Sequence, residues 1–205
     1  MKKYFWAHNS IEGVDGMELF DAIKTRRSIG IVKDDPVPNQ LIEQILEAGT
    51  YAPNHFRTEP WRFFVLTGDS RAELGEVFEN ITTASSEDPS TQEMVKKLER
   101  AKKNPLRAPV IITVGVEPSS KKNVLIQEEY AAVHAAIQNM LLAAHALGLG
   151  AIWRTGAICY EKQVNDFFGM SERGEIVGFI YLGFPDMKTP QVKKTSFTNF
   201  TTWMS

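Results

Sequence analysis

The chain has 205 residues, 43% of them hydrophobic and 23% charged, which is enough apolar material to close one core in an ordinary globular protein. A formal net charge of −2 leaves no basic field to attract nucleic acid or anionic lipid. Cys159 is the only cysteine; that excludes an intramolecular disulfide and a cysteine-built zinc or iron–sulfur centre, and with no export signal it fits a cytoplasmic protein.

Residues 1–16 have no clear period and are expected to be an extension outside one domain spanning 17–205. A first helix is predicted over 17–26, with Leu19, Phe20 and Ile23 on one face, and a second over 39–51, with Leu41, Ile42, Ile45, Leu46 and Ala48 inward and Pro53 marking its end. A strand follows at 61–67, and Gly68-Asp69-Ser70 reads as a turn and helix cap. Helices are expected over 71–78 and 92–103, with a mobile polar loop between them. The run 109–116 is almost wholly apolar, as a central strand requires.

The stretch 131–153 contains no Asp, Glu, Lys or Arg, which raises the question of a membrane span. His134, Gln138, Asn139, His145 and two glycines argue against one, because such groups are costly in hydrocarbon. The better reading is a long helix over 126–147, buried on nearly all sides and stopped by Gly148. A short strand at 151–154, a helix at 161–168 and a strand at 176–183 complete the pattern. The tail from about 185 lacks a period of its own and is expected to wrap a neighbour. Together these elements predict an α+β domain, a mixed sheet with helices around it.

Several familiar sites are absent: no G-x-G-x-x-G, no Walker A, no G-x-S-x-G and no H-E-x-x-H. His134 and His145 cannot share a metal, since eleven residues of helix separate them by roughly 16 Å. Three clusters remain. Arg26-Arg27-Ser28 can hold a phosphate through guanidinium forks, or can simply suit the negative end of a helix dipole. The segment Ala52-Pro53-Asn54-His55-Phe56-Arg57-Thr58-Glu59-Pro60-Trp61 is a loop fixed by two prolines, either a ligand platform or a structural connection. Gly150-Ala151-Ile152-Trp153-Arg154-Thr155-Gly156 sets an arginine at the end of a buried strand, where a phosphate or a carboxylate would satisfy it.

In this order and at these distances, the three clusters resemble the nitroreductase superfamily, and within it the minimal YdjA-like NAD(P)H nitroreductases. The resemblance spans 17 to about 185. It implies two interlocked protomers with FMN at each interface and a ping-pong cycle in which NAD(P)H reduces the flavin before a nitroaromatic, a quinone or a related small acceptor is reduced. It assigns Arg26, Arg27 and Ser28 to the FMN phosphate and ribityl. Trp153, Arg154 and Thr155 form a second segment on the same protomer, and Asn54 and His55 reach FMN from the other. No catalytic side chain is implied, because the flavin carries the chemistry. Two positions depart from the pattern: Tyr51 stands at a flavin-contacting position that holds arginine in the resembled group, and Glu59 replaces the common Gln, where it would tune the flavin or pair with Arg57. Competing readings are a same-fold reductase acting on an enone or a halogenated aromatic, a flavin store without turnover, and an α+β protein whose arginines serve only salt bridges.

Overall fold

In the computed structural model, which describes residues 17–86 and 88–205, the chain runs α1 (Leu19–Thr25), α2 (Asn39–Thr50), β1 (Trp61–Leu66), α3 (Ser70–Ala84), α4 (Gln92–Lys103), β2 (Val110–Val116), α5 (Ile126–Ala146), β3 (Gly150–Arg154), α6 (Lys162–Phe167) and β4 (Glu175–Gly183). Short 3₁₀ turns lie at His55–Arg57, Asn104–Arg107, Ala157–Tyr160 and Phe197–Phe200. The expected extension at 1–16 lies outside the described residues.

The sheet has the order β1-β2-β4-β3, and every pairing in it is antiparallel. The α+β class therefore holds, while the expected mixture of parallel and antiparallel pairs does not. The connections explain why. The pair α3–α4 returns the chain to the end it left, so β2 runs against β1. The single helix α5 carries the chain across once, which leaves β3 parallel in direction to β2, as in any βαβ unit. β4 then inserts between those two strands and pairs with each in the opposite sense.

β2 is central and buried throughout, as its apolar run predicts. On one face of the sheet, α2 and α5 pack Ile42, Ile45, Ile137 and Met140 against Ile112, Val114, Ile180 and Leu182. On the other, α3 and α6 bring Leu74, Phe78 and Val164 onto Ile111, Phe179 and Tyr181. Among the described residues, no helix is long and apolar enough to cross a membrane.

Two helices leave one face uncovered, which for α5 departs from the expected burial on nearly all sides. α1 buries only Ala22; its apolar residues Leu19, Phe20 and Ile23 face outward, Phe20 with 71% of its surface open. α5 buries one face through Val133, Ala136, Ile137, Met140 and Ala144, but Ala131, His134 and Gln138 on the opposite side are exposed. From 131 to 146 α5 carries no Asp, Glu, Lys or Arg on any face; such a helix needs two covers, and a single chain supplies one. The tail repeats the theme. Val32 bridges Pro185, but from 191 onward every residue is exposed, including Trp203 at 87% and Met204 at 94%.

Candidate functional site

Arg26-Arg27-Ser28 follows directly from the end of α1. The Arg27 guanidinium turns back on that helix, where Nη1 donates to the carbonyls of Lys24 (2.7 Å) and Arg26 (2.8 Å). The helix-terminus reading is thus partly realised, but it uses one nitrogen; Arg27 Nε is buried with no partner among the described residues. His145, in the last turn of α5, hydrogen-bonds Thr25 Oγ1 through Nε2 (2.8 Å). Burial, aided by the nearby charges of Arg26 and Arg27, holds its imidazole below the usual pKa. Arg27, Ile29, His145, Gly148, Leu149 and Pro185 enclose a recess of about 230 Å³.

The chain then meets β3, where the Ile29 amide donates to the Ala151 carbonyl (3.0 Å). Strand alternation splits the next segment. Trp153 turns to the α5 face, its ring 5.5 Å from that of His134, itself beside Tyr130. This packing requires Gly178 on β4, since a Cβ there would lie 2.0 Å from Trp153 Nε1. Arg154 turns to the other face and stacks over Tyr181, 5.1 Å from its centroid. Burial first and the neighbouring Arg107 second lower its pKa, while burial pushes the Tyr181 phenol up to about 12. Trp153 Nε1 and Arg154 Nε are also buried without a partner. Thr155 is exposed and leads into Gly156 at φ 127°, a conformation only glycine adopts without strain. The two arginine segments thus flank β3 from opposite ends, about 13 Å apart along the strand at 3.3 Å per residue.

The third cluster lies elsewhere. Tyr51 closes α2 and borders an apolar groove of about 480 Å³ with Ala22, Asn139, Leu142, Ala143 and Ala146. Asn54 Oδ1 accepts the Glu59 amide (3.0 Å), which closes the loop 54–59 on itself. Within it Phe56, Arg57 and Glu59 hold φ values of 55°, 50° and 49°. Left-handed backbone costs non-glycine residues roughly 1–2 kcal/mol each. The exposed His55 ring stacks on Phe56 (4.1 Å between centroids) and turns Nδ1 to the Glu128 carboxylate. Glu59 is exposed and forms no ion pair with Arg57. Glu128 and His145 stand near opposite ends of α5, about 25 Å apart at 1.5 Å per residue. One chain therefore does not bring Asn54 and His55 to its own Arg26 and Arg27.

Sequence reasoning missed Glu128 and Glu129. Glu129 is 1% exposed, yet accepts hydrogen bonds from the Thr58 hydroxyl and the Ser119 amide (2.9 Å). The available signal was two adjacent acids opening a helix that carries no other charge. Among the described residues, no group of three or more His, Cys, Asp and Glu stands together as a set of metal ligands.

The profile of the nitroreductase family matches residues 23–184. The Escherichia coli K12 protein provisionally named NAD(P)H nitroreductase YdjA is 34% identical over 172 residues, 84% of this chain and 91% of that protein. A nitroreductase-like protein from Bacillus cereus superposes with a TM-score of 0.80 at 28% identity, covering 93% of this chain and 97% of that one. A nitroreductase from Bacteroides fragilis, solved with bound FMN, superposes with a TM-score of 0.69 at 25% identity, covering 92% and 100%. The chain belongs to the nitroreductase family.

Proposed function

We infer that this chain is an FMN-dependent NAD(P)H oxidoreductase that passes reducing equivalents to a small acceptor such as a nitroaromatic or a quinone. The observation that carries the reading is the buried Arg27 Nε, without a partner among the described residues, beside the recess at the end of α1. A buried donor left unpaired costs on the order of 1–3 kcal/mol. A phosphate-bearing cofactor rich in acceptor atoms removes that cost, so the residues present fit FMN. When bound, FMN supplies hydride transfer between NAD(P)H and the acceptor.

Arg26, Arg27 and Ser28 hold the phosphate and ribityl, and the fork of Arg27 is already oriented by its two carbonyl contacts. Trp153, Arg154 and Thr155 border the same cofactor. Asn54 and His55 come from the other protomer, and Tyr51 packs an aromatic surface beside them. The active form is a homodimer in the cytoplasm. Its support is the 25 Å span along α5, the outward apolar face of α1 and the exposed tail with Phe197, Phe200, Trp203 and Met204. Such an interface is expected to exceed about 2,000 Å².

Absorption spectra of the purified protein test the reading. The expected result is a flavin spectrum, release of FMN and no FAD on denaturation, and bleaching by NADH or NADPH under anaerobic conditions. Protein that neither contains nor takes up FMN overturns the cofactor. Bound flavin that neither nucleotide reduces overturns the enzyme in favour of a store.

A further inference from the structure

We propose that Glu128 and Glu129, in the first turn of α5, are positioning residues for the loop 54–59: Glu129 fixes where the loop stands, and Glu128 fixes which nitrogen of His55 faces outward. What the loop reaches rests on the shared-FMN reading above; the device itself is visible in one chain.

The loop cannot hold its conformation through local preference, since three non-glycine residues in it are left-handed. Two side-chain contacts tie it to α5, His55 to Glu128 and Thr58 to Glu129. Neighbouring helix positions are rotated by about 100°, so one carboxylate faces out to the imidazole and the next faces in. Glu129 is buried, and a buried carboxylate is retained only where its oxygens are satisfied. Oε1 accepts from Thr58 and Oε2 from the Ser119 amide, and the helix N-terminus favours the charge. No Lys, Arg or His among the described residues forms an ion pair with it. Its work is therefore to join the loop 54–59 to the chain at Ser119. A methyl or methylene group would fill the space but hold neither.

At His55 the position of the proton decides what the ring offers. A carboxylate only accepts, so Nδ1 carries hydrogen toward Glu128. The neutral ring then presents Nε2 outward as an acceptor, and the protonated ring presents it as a donor. The exposed ring leaves that atom accessible to a molecule bound by the partner chain.

The test compares the wild type with Glu128→Ala, Glu128→Gln, Glu129→Ala, Glu129→Gln and Thr58→Val in three readouts. Nitrogen-15 NMR of the His55 ring reads the tautomer without flavin. Wild type should carry the proton on Nδ1, Glu128→Ala should lose that preference, and Glu128→Gln, whose carbonyl still accepts, should restore it. Amide exchange reads the loop, and it should quicken across 54–59 in Glu129→Ala and Thr58→Val. FMN titration should show roughly tenfold weaker binding in Glu129→Ala, as expected for one charge-assisted hydrogen bond, with partial rescue in Glu129→Gln. An unchanged tautomer in Glu128→Ala, or unchanged exchange in Thr58→Val, overturns the proposal. Thr58→Val carries the test if Glu129→Ala does not fold. Wild-type protein that binds no FMN sinks the cofactor reading alone, because the first two readouts need none.

Discussion

Replacing Gly178 with alanine sets a methyl carbon where the Trp153 indole already lies. The added Cβ would sit 2.0 Å from Nε1, 2.7 Å from Cδ1 and 3.0 Å from the Arg154 carbonyl. Ordinary carbon contacts lie near 3.5 Å, so the ring has to retreat by roughly 1.5 Å. It has little room, because His134 stands on its other side and the indole is rigid. Overpacking of this kind costs about 1–3 kcal/mol. At about 2–4 °C per kcal/mol for a domain of this size, the melting temperature should fall by roughly 4–8 °C for a mid-range cost. Differential scanning calorimetry at fixed protein concentration measures the shift, and tryptophan fluorescence follows the ring. The Trp153–Thr155 segment moves with its indole, so FMN affinity should drop as well. A melting point within one degree of wild type, with unaltered emission, would refute the packing argument.

Three further outcomes are expected. Arg27→Ala and Arg154→Ala should each weaken FMN binding by about 2–5 kcal/mol, the penalty for breaking a desolvated charge pair, and Lys should rescue only in part; equal titration curves for both alanine variants would make these arginines structural. Melting should shift upward with protein concentration, as coupled folding and dimerisation require, and removal of residues 197–205 should favour monomer in sedimentation; a flavin-loaded monomer at micromolar concentration contradicts the shared site. His145 has a folded pKa below its ordinary 6.5, so the unfolded chain binds the proton more readily and stability should decline as pH drops through about 6.5; His145→Gln should flatten that decline, and an unaltered pH profile of denaturant midpoints would count against it.

Periodicity located most of the elements because it records which residues avoid water. Leu41, Ile42 and Ile45 in α2 and the whole of β2 are buried as their patterns require. The same signal does not say what provides the cover. In α1 and α5 it marked faces that this chain leaves open, among them the one that carries Leu19, Phe20 and Ile23. The direction of β4 depends on connections that pattern does not encode. At the site, motif order marked Arg26–Ser28 and Trp153–Thr155, but not that strand alternation sends Trp153 and Arg154 to opposite faces. The loop 54–59 was visible as a polar segment between prolines. Its left-handed backbone was not, since Phe56, Arg57 and Glu59 give no local warning; the cause lies some seventy residues onward, in Glu129.

The insertion of β4 between β2 and β3 has a consequence for synthesis on the ribosome. β2 and β3 emerge first, yet they never pair with each other; each waits for the last strand, with Val110 joining Leu182 and Gly150 joining Gly183. Until β4 leaves the exit tunnel, β2 presents one unpaired apolar edge, and β3 has no partner strand in this sheet. Exposed edges of that kind recruit other chains. Nascent chains that end before residue 175 should therefore depend on chaperones and aggregate when released, whereas released chains that include all of β4 should not.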